Sequence, residues 1–304
     1  MASAVSPNTP HAPFGRVATA MVTPFRADYS LDLDAAQRVA TYLVDHGNDA
    51  LVISGTTGES PTTTDQEKTD LLRAVLESVG DRATVLAGVG TNDTAHSIEL
   101  AKAAEAAGAH GLLVVAPYYN KPPQEGMKAH FTAVADATGL NVMLYDVPPR
   151  TATKIATETL IALAEHPRIV AVKDAKGDAA ATTKVMANTD LAIYSGADEV
   201  NLPWLAMGAA GVVSVVGHVA GADYRAMVDA VDAGDLATAR EIDRRLAIAV
   251  EAIMTRIQGA VASKGALKLA GVLEHATARL PLVEITPEQL DWLTTDLKTA
   301  GLLP

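Results

Sequence analysis

Lys173 closes the apolar run Ile169-Val170-Ala171-Val172. In a strand alternate side chains share a face, so Ile169, Ala171 and Lys173 fall together, and the small Ala171 leaves room beside the lysine. An amine held among apolar groups is desolvated, which favours its neutral, nucleophilic form, the form that attacks a carbonyl carbon. The same pattern also fits a lysine that ends a strand and reaches out to water. Lys176, between Ala175 and Gly177, lies past the run and reads as a solvated loop residue.

Four other stretches follow apolar runs and carry useful side chains: Gly55-Thr56-Thr57-Gly58-Glu59-Ser60, Pro117-Tyr118-Tyr119-Asn120, Tyr145-Asp146-Val147-Pro148-Pro149-Arg150 and Ser195-Gly196. Tyr145 shares a face with Asn141 and Met143, so its hydroxyl either moves protons in a closed site or sits at the rim of a core. Thr56 and Thr57 stand in a glycine-flanked turn whose hydroxyls and N–H groups suit a carboxylate, although ordinary turn chemistry produces the same residues. Arg150 could meet a carboxylate with two parallel hydrogen bonds or simply lie on the surface. Glu59 reads as a cap for the following helix. His218 follows the last apolar run, and a structural histidine is the more natural reading than a catalytic one.

These residues need a frame. Apolar runs occupy residues 17–22, 50–54, 84–88, 111–116, 141–145, 169–173, 191–195 and 211–216. Short runs without alternation suit parallel strands buried on both faces, and parallel strands require crossovers, usually helical. Helical pattern fills the gaps; residues 65–79 start at Asp65, which could cap them, and residues 94–107 stop at Gly108. Eight such units predict an α/β fold, a (β/α)8 TIM barrel, whose chemistry gathers at the C-terminal ends of the strands. All five reactive stretches fall there. Beyond about residue 235 the pattern is purely helical, at 236–256, 263–271 and 287–299. The expected organisation is a flexible leader at 1–14, a catalytic barrel at 15–235 and a C-terminal helical subdomain at 236–304.

Composition narrows the chemistry. The 304 residues carry a net charge of -12, so the basic footprint of a nucleic-acid or anionic-membrane binder is missing. There is no cysteine, which removes disulfides, thiolate metal sites and a cysteine nucleophile, and fits a cytoplasmic protein. No His-Glu-x-x-His, Walker or complete dinucleotide motif is present, so neither metal nor cofactor is expected, and a lysine must then act as its own electron sink. Residues 201–222 lack Asp, Glu, Lys and Arg and are long enough to span a bilayer, but their Asn, Pro, His, glycines and β-branched centre predict a helix, a turn and a buried strand instead of a membrane span.

With these residues in order, the chain resembles the dihydrodipicolinate synthase/N-acetylneuraminate lyase family from about Arg16 to its end. Gly55-Thr56-Thr57-Gly58-Glu59, Tyr145-Asp146-Val147-Pro148 and then Lys173 carry the likeness; each is short, and the set is specific. The resemblance implies a Schiff base between Lys173 and pyruvate. The double threonine, Pro117-Tyr118-Tyr119-Asn120 and Arg150 point within the family to condensation with L-aspartate 4-semialdehyde, in the diaminopimelate route to lysine. By the same resemblance Tyr145, Thr56 and Tyr119 form a proton relay, with Tyr119 supplied by a neighbouring subunit of a homotetramer, a dimer of dimers. Thr57 holds the pyruvate carboxylate, Arg150 that of the semialdehyde, and Gly196 and Val213 line the pocket. A sister aldolase acting on another 2-oxo acid, and a non-catalytic barrel binding a small acid, are the alternatives.

The chain departs from the family pattern in places. Asp146 stands where many relatives have Asn, Ala197 interrupts a usual Ser-Gly-Asp-Asp, and Val216-Gly217-His218 is unusual. In members inhibited by lysine, an interface pocket carries a histidine and a glutamate; the matching positions here are Lys68 and His96, with Asn92 and Tyr118 retained. Added positive charge opposes a cationic ligand, so weak or absent feedback inhibition is expected.

Overall fold

Eight parallel strands pair in sequence order and close on themselves, the last returning to the first. They are β1 (Val17–Ala20), β2 (Ala50–Ile53), β3 (Thr84–Gly88), β4 (Gly111–Val115), β5 (Val142–Asp146), β6 (Ile169–Asp174), β7 (Ala192–Ser195) and β8 (Gly211–Ser214). The computed structural model describes residues 10–303. Most of the leader expected at 1–14 lies outside the described residues, but Phe14 is buried inside the barrel with Ala18, Leu86 and Tyr194, and its N–H donates to the Tyr194 hydroxyl.

Each strand is buried on both faces, which is why its residues read as unbroken apolar runs. One set of side chains (Ala18, Ala20, Val52, Leu113, Met143, Tyr145, Ala171, Val213) fills the barrel, and the alternate set packs outward under the helices. Strict alternation fails at the start of β6. Val142 faces Ile169 while Met143 faces Ala171, so β6 takes up an extra residue there. Ile169 packs outward as a result and does not share the face of Lys173; Ala171 and Lys173 still do.

The crossovers are α1 (Leu33–Asp45), α2 (Asp65–Val79), α3 (Thr94–Ala107), α4 (Gln124–Asp136), the single turn α5 (Pro148–Thr151) with α6 (Thr157–Leu163), α7 (Ala179–Asn188), α8 (Asn201–Ala206) and α9 (Gly217–Asp232). Thr64, not Asp65, caps α2: it closes a reciprocal box with Glu67, leaving Asp65 in the first turn where an acid suits the helix dipole. Residues 201–222 fold as α8, β8 and the start of α9, and among the described residues no helix is long and apolar enough to cross a membrane.

Three further helices follow: α10 (Leu236–Glu251), α11 (Gly259–Leu269) and α12 (Pro287–Thr299), with a π-helical turn, Ala252–Arg256, ending α10. α11 begins before residue 263 because the Gln258 side chain accepts from the Ala260 and Val261 N–H groups. These helices share an apolar core with β1, β8 and α9. They are also fastened to the loop after β2. The fully buried Lys264 of α11 pairs with Glu59, donates to the Thr277 carbonyl at 2.8 Å and lies 4.3 Å from the Phe25 ring centre. Arg279 adds its N–H to Glu59 at 2.9 Å and a forked pair to Glu67 at 2.6 and 2.9 Å. Removing one member of a buried ion pair leaves the other charged and unpartnered. Lys264→Met is therefore expected to lower the unfolding free energy by about 3–5 kcal/mol in urea titrations; a change below ~1 kcal/mol would show that the pair does not anchor this loop.

Candidate active site

The C-terminal ends of the strands open into a cavity of about 350 Å³ lined by Thr56, Thr57, Tyr145, Arg150, Lys173 and Gly196, among others. The C-terminal end of β6 brings Lys173 into it from the wall. Lys173 is 4 % exposed, and its Nζ lies 4.3 Å from the centre of the Tyr145 ring. Burial drives its pKa down to about 8; the charge of Asp198 pulls the other way, and that of Arg150 adds to the fall. Gly196 makes the position possible. A Cβ there would stand 2.7 Å from Lys173 Cγ and 3.0 Å from its Cε, too close for any side chain.

Tyr145 pairs with Lys173 across β5 and β6. Burial pushes its phenol up to about 12, against the opposing influences of Arg150 and the Thr56 hydroxyl, so it is protonated at neutral pH. Arg150 sits on α5, the turn that follows β5, and stands at the rim of the cavity. Thr56 is open to the cavity and Thr57 is buried. Their loop is tightly held: Ser54 and Glu59 adopt left-handed backbone (φ 53° each), and Gly58 lies where a Cβ would meet the Ser54 nitrogen at 3.1 Å and the Met21 carbonyl at 3.2 Å. Such backbone persists only where surrounding contacts fix it. Glu59 is part of that fixing, through Lys264; it stands at the N-cap position of the 3-10 turn Ser60–Thr62, but its side chain makes no capping hydrogen bond.

Two of the expected residues lie elsewhere. Val213 is buried in the barrel interior, and the β8 side lines the cavity with Val215. Tyr119 is 87 % exposed, at φ 72°, and does not border the cavity in its own chain. A second cavity of about 330 Å³ adjoins the first, sharing Thr56, Tyr145 and Arg150 and bordered also by Tyr118, Gln258, Pro281 and Leu282. The sequence reading missed the C-terminal contributors Met254, Gln258, Pro281 and Leu282. None carries a reactive group, and only the docking of distant helices brings them near.

Behind the wall, Asp198 accepts from the Ser214 hydroxyl, the Asn201 amide and the N–H groups of Val215 and Val216. His218 is fully buried and structural: its Nε2 accepts from the Val22 N–H at 3.0 Å and its Nδ1 donates to the Val215 carbonyl at 2.7 Å. Burial lowers its pKa to about 4, keeping it neutral. Lys176 is not solvated; its side chain is 4 % exposed and lies between Asp146 and Asp174. Among the described residues no three His, Asp or Glu side chains gather in a way that could hold a metal ion.

The dihydrodipicolinate synthetase family model matches residues 13–300. A 4-hydroxy-tetrahydrodipicolinate synthase of Kineococcus radiotolerans is 65% identical over 295 residues, covering 97% of this chain and 96% of that protein. Another, from Streptomyces coelicolor, is 62% identical over 97% of this chain and 98% of its own. The crystal structure of a dihydrodipicolinate synthase from Cyanidioschyzon merolae with lysine bound superposes with a TM-score of 0.93 at 40% identity, covering 96% of this chain and all of the other.

The lowered Lys173 pKa has a signed consequence. Below about 8 the amine is protonated and inert, so the initial rate of borohydride trapping with a 2-oxo acid should rise about tenfold per pH unit up to that point and flatten above it. A rate that is flat between about pH 6 and 8 contradicts a desolvated nucleophile. Stability runs the same way: the unfolded chain binds this proton more tightly, so this group's contribution to stability grows from pH 8 toward 10.5. At neutral pH the buried amine is destabilising, and Lys173→Met should raise the melting temperature while abolishing trapping.

Proposed function

The chain belongs to the dihydrodipicolinate synthetase family, and we propose that it performs that family's chemistry through Lys173. It is an enzyme that condenses pyruvate with L-aspartate 4-semialdehyde to 4-hydroxy-tetrahydrodipicolinate, a lyase of the diaminopimelate route to lysine. The observation that carries the mechanism is the buried amine of Lys173 against the Tyr145 ring, in a cavity rimmed by Arg150.

The neutral Lys173 amine adds to the pyruvate carbonyl carbon, and loss of water leaves a protonated imine. That cation draws electrons from the adjacent methyl group, which gives up a proton to form an enamine. The enamine carbon attacks the aldehyde of the second substrate and the new alkoxide takes a proton. The amino group of the semialdehyde portion then displaces Lys173 and closes the ring. The lysine serves as electron sink, so no cofactor is invoked. Tyr145, protonated at neutral pH, is suited to deliver protons but needs partners to pass them on. We assign that relay to Thr56 and to Tyr119 of a second copy. The exposed, left-handed Tyr119 has no role in its own cavity, and the adjoining space beside Thr56 and Tyr145 can receive a ring. Thr57 and the turn amides would take the pyruvate carboxylate, Arg150 the semialdehyde carboxylate, and Gly196 the Lys173 stem; Val213 supports the cavity from below. We further infer a cytoplasmic homotetramer, a dimer of dimers.

Arg150 decides the second substrate. Arg150→Ala should lower kcat/KM for the semialdehyde at least about a hundredfold, the loss of a charge-assisted pair of ~3 kcal/mol, while Lys173 is still trapped by pyruvate. An enzyme for another 2-oxo acid would be indifferent.

Regulation follows from Lys68 and His96. His96 lies 3.0 Å from Asp65, and Lys68 lies 4.0 Å from the same carboxylate while donating to the Thr63 carbonyl at 2.5 Å. One acid thus faces two basic groups, a poor setting for another ammonium. Millimolar lysine should leave turnover nearly unchanged in a steady-state assay; strong inhibition at that concentration overturns the expectation.

A further inference from the structure

The residues that follow Tyr145 and Lys173 face the other way. Register pairs Tyr145 with Lys173 and, one step on, Asp146 with Asp174. Alternation therefore sets the first pair inside the barrel and the second outside it, where Asp146 is 0 % and Asp174 1 % exposed. Two buried carboxylates side by side repel each other and lack water to screen them. Lys176 answers both: its Nζ is 3.4 Å from Asp146 Oδ2 and 3.4 Å from Asp174 Oδ2.

The cluster reaches beyond the two strands. Asp174 Oδ1 accepts from the Lys176 N–H at 3.0 Å, and its Oδ2 accepts from the Thr182 hydroxyl on α7 at 2.5 Å. Asp146 Oδ1 accepts from the Ile155 N–H at 3.1 Å, which closes the segment carrying Arg150. The Asp146 carbonyl accepts from the Ala175 N–H at 2.9 Å, a further rung tying the two strand ends together. Three residues thus join β5, β6, α7 and the Arg150 turn at the level of the reacting side chains.

We propose that the Asp146–Lys176–Asp174 bridge is a positioning device for the reaction, fastening the ends of β5 and β6 from outside the wall and so setting the spacing of Tyr145, Lys173 and Arg150 within. The proposal rests on Lys173 and Tyr145 being the reacting residues. Two acids share one cation, so the bridge holds a surplus carboxylate. Burial accordingly raises the pKa of Asp146 to about 6 even though Lys176 draws it down. Removing Lys176 leaves two carboxylates back to back, which would push the strand ends apart. Replacing Asp146 by Asn removes the surplus charge and puts a donor beside Asp174 in place of an acceptor.

Kinetics of three variants test this. Lys176→Met should lower kcat at least about tenfold, with KM for pyruvate changed less than about threefold, the loss of a buried pair partner acting on geometry. Asp146→Asn should stay within about threefold of the parent, and so should the double variant Asp146→Asn/Lys176→Met, a coupling between neighbours that independent sites do not show. A Lys176→Met protein that folds and keeps its kcat, or a double variant as slow as Lys176→Met, overturns the proposal. If Lys176→Met does not fold, the double variant decides alone: activity near that of Asp146→Asn supports the bridge, and a tenfold deficit overturns it. Borohydride trapping of the parent enzyme separates the two levels, since absence of a Lys173 adduct there refutes the underlying mechanism, not the bridge.

Discussion

An ammonium group on the inner wall of a closed barrel loses the hydration that stabilises its charge. Lys173 occupies that position, and much of the surrounding architecture is arranged to keep it there without a counter-charge in contact. Asp198, the acid that most opposes the lowered pKa, is engaged by a hydroxyl, an amide and two backbone N–H groups. Arg150 sits at the rim and favours the neutral amine. Gly196 and Ala171 leave space for the stem and add nothing polar.

Rigidity comes from ion pairs placed outside the cavity. The loop with Thr56 and Thr57 is strained at Ser54 and Glu59, and Glu59 is held by Lys264 and Arg279 of the C-terminal extension. The strands bearing Tyr145 and Lys173 are bridged behind the wall by Lys176. The Lys176 bridge acts from the far side of the β5–β6 wall. Charges thus fix geometry without a salt bridge to the amine, which lies against the Tyr145 ring instead. The extension also contributes Met254, Gln258, Pro281 and Leu282 to the mouth, so it belongs to the site as much as to any assembly.

The barrel was legible because parallel strands buried on both faces leave continuous apolar runs, and the inward settings of Lys173 and Tyr145 followed from alternation. Alternation could not foresee the extra residue at the start of β6, which sends Ile169 outward; a bulge depends on the partner strand's register. Lys176 read as solvated because Ala175 and Gly177 flank it, whereas its burial is decided by Asp146, a strand away. Glu59 suggested a helix cap, but Thr64 and Glu67 cap α2 between themselves, and Glu59's partner lies in a helix far along the chain. The carboxylate partners of buried lysines were the part of the site that local pattern could not supply.

The central claim is that one desolvated amine does the covalent work, and the location of the covalent adduct tests it most directly. The enzyme incubated with pyruvate, reduced with borohydride and digested should yield a single modified peptide, carrying the adduct on Lys173. An adduct on Lys176, Lys264 or any other lysine, or no adduct at all, would contradict the account.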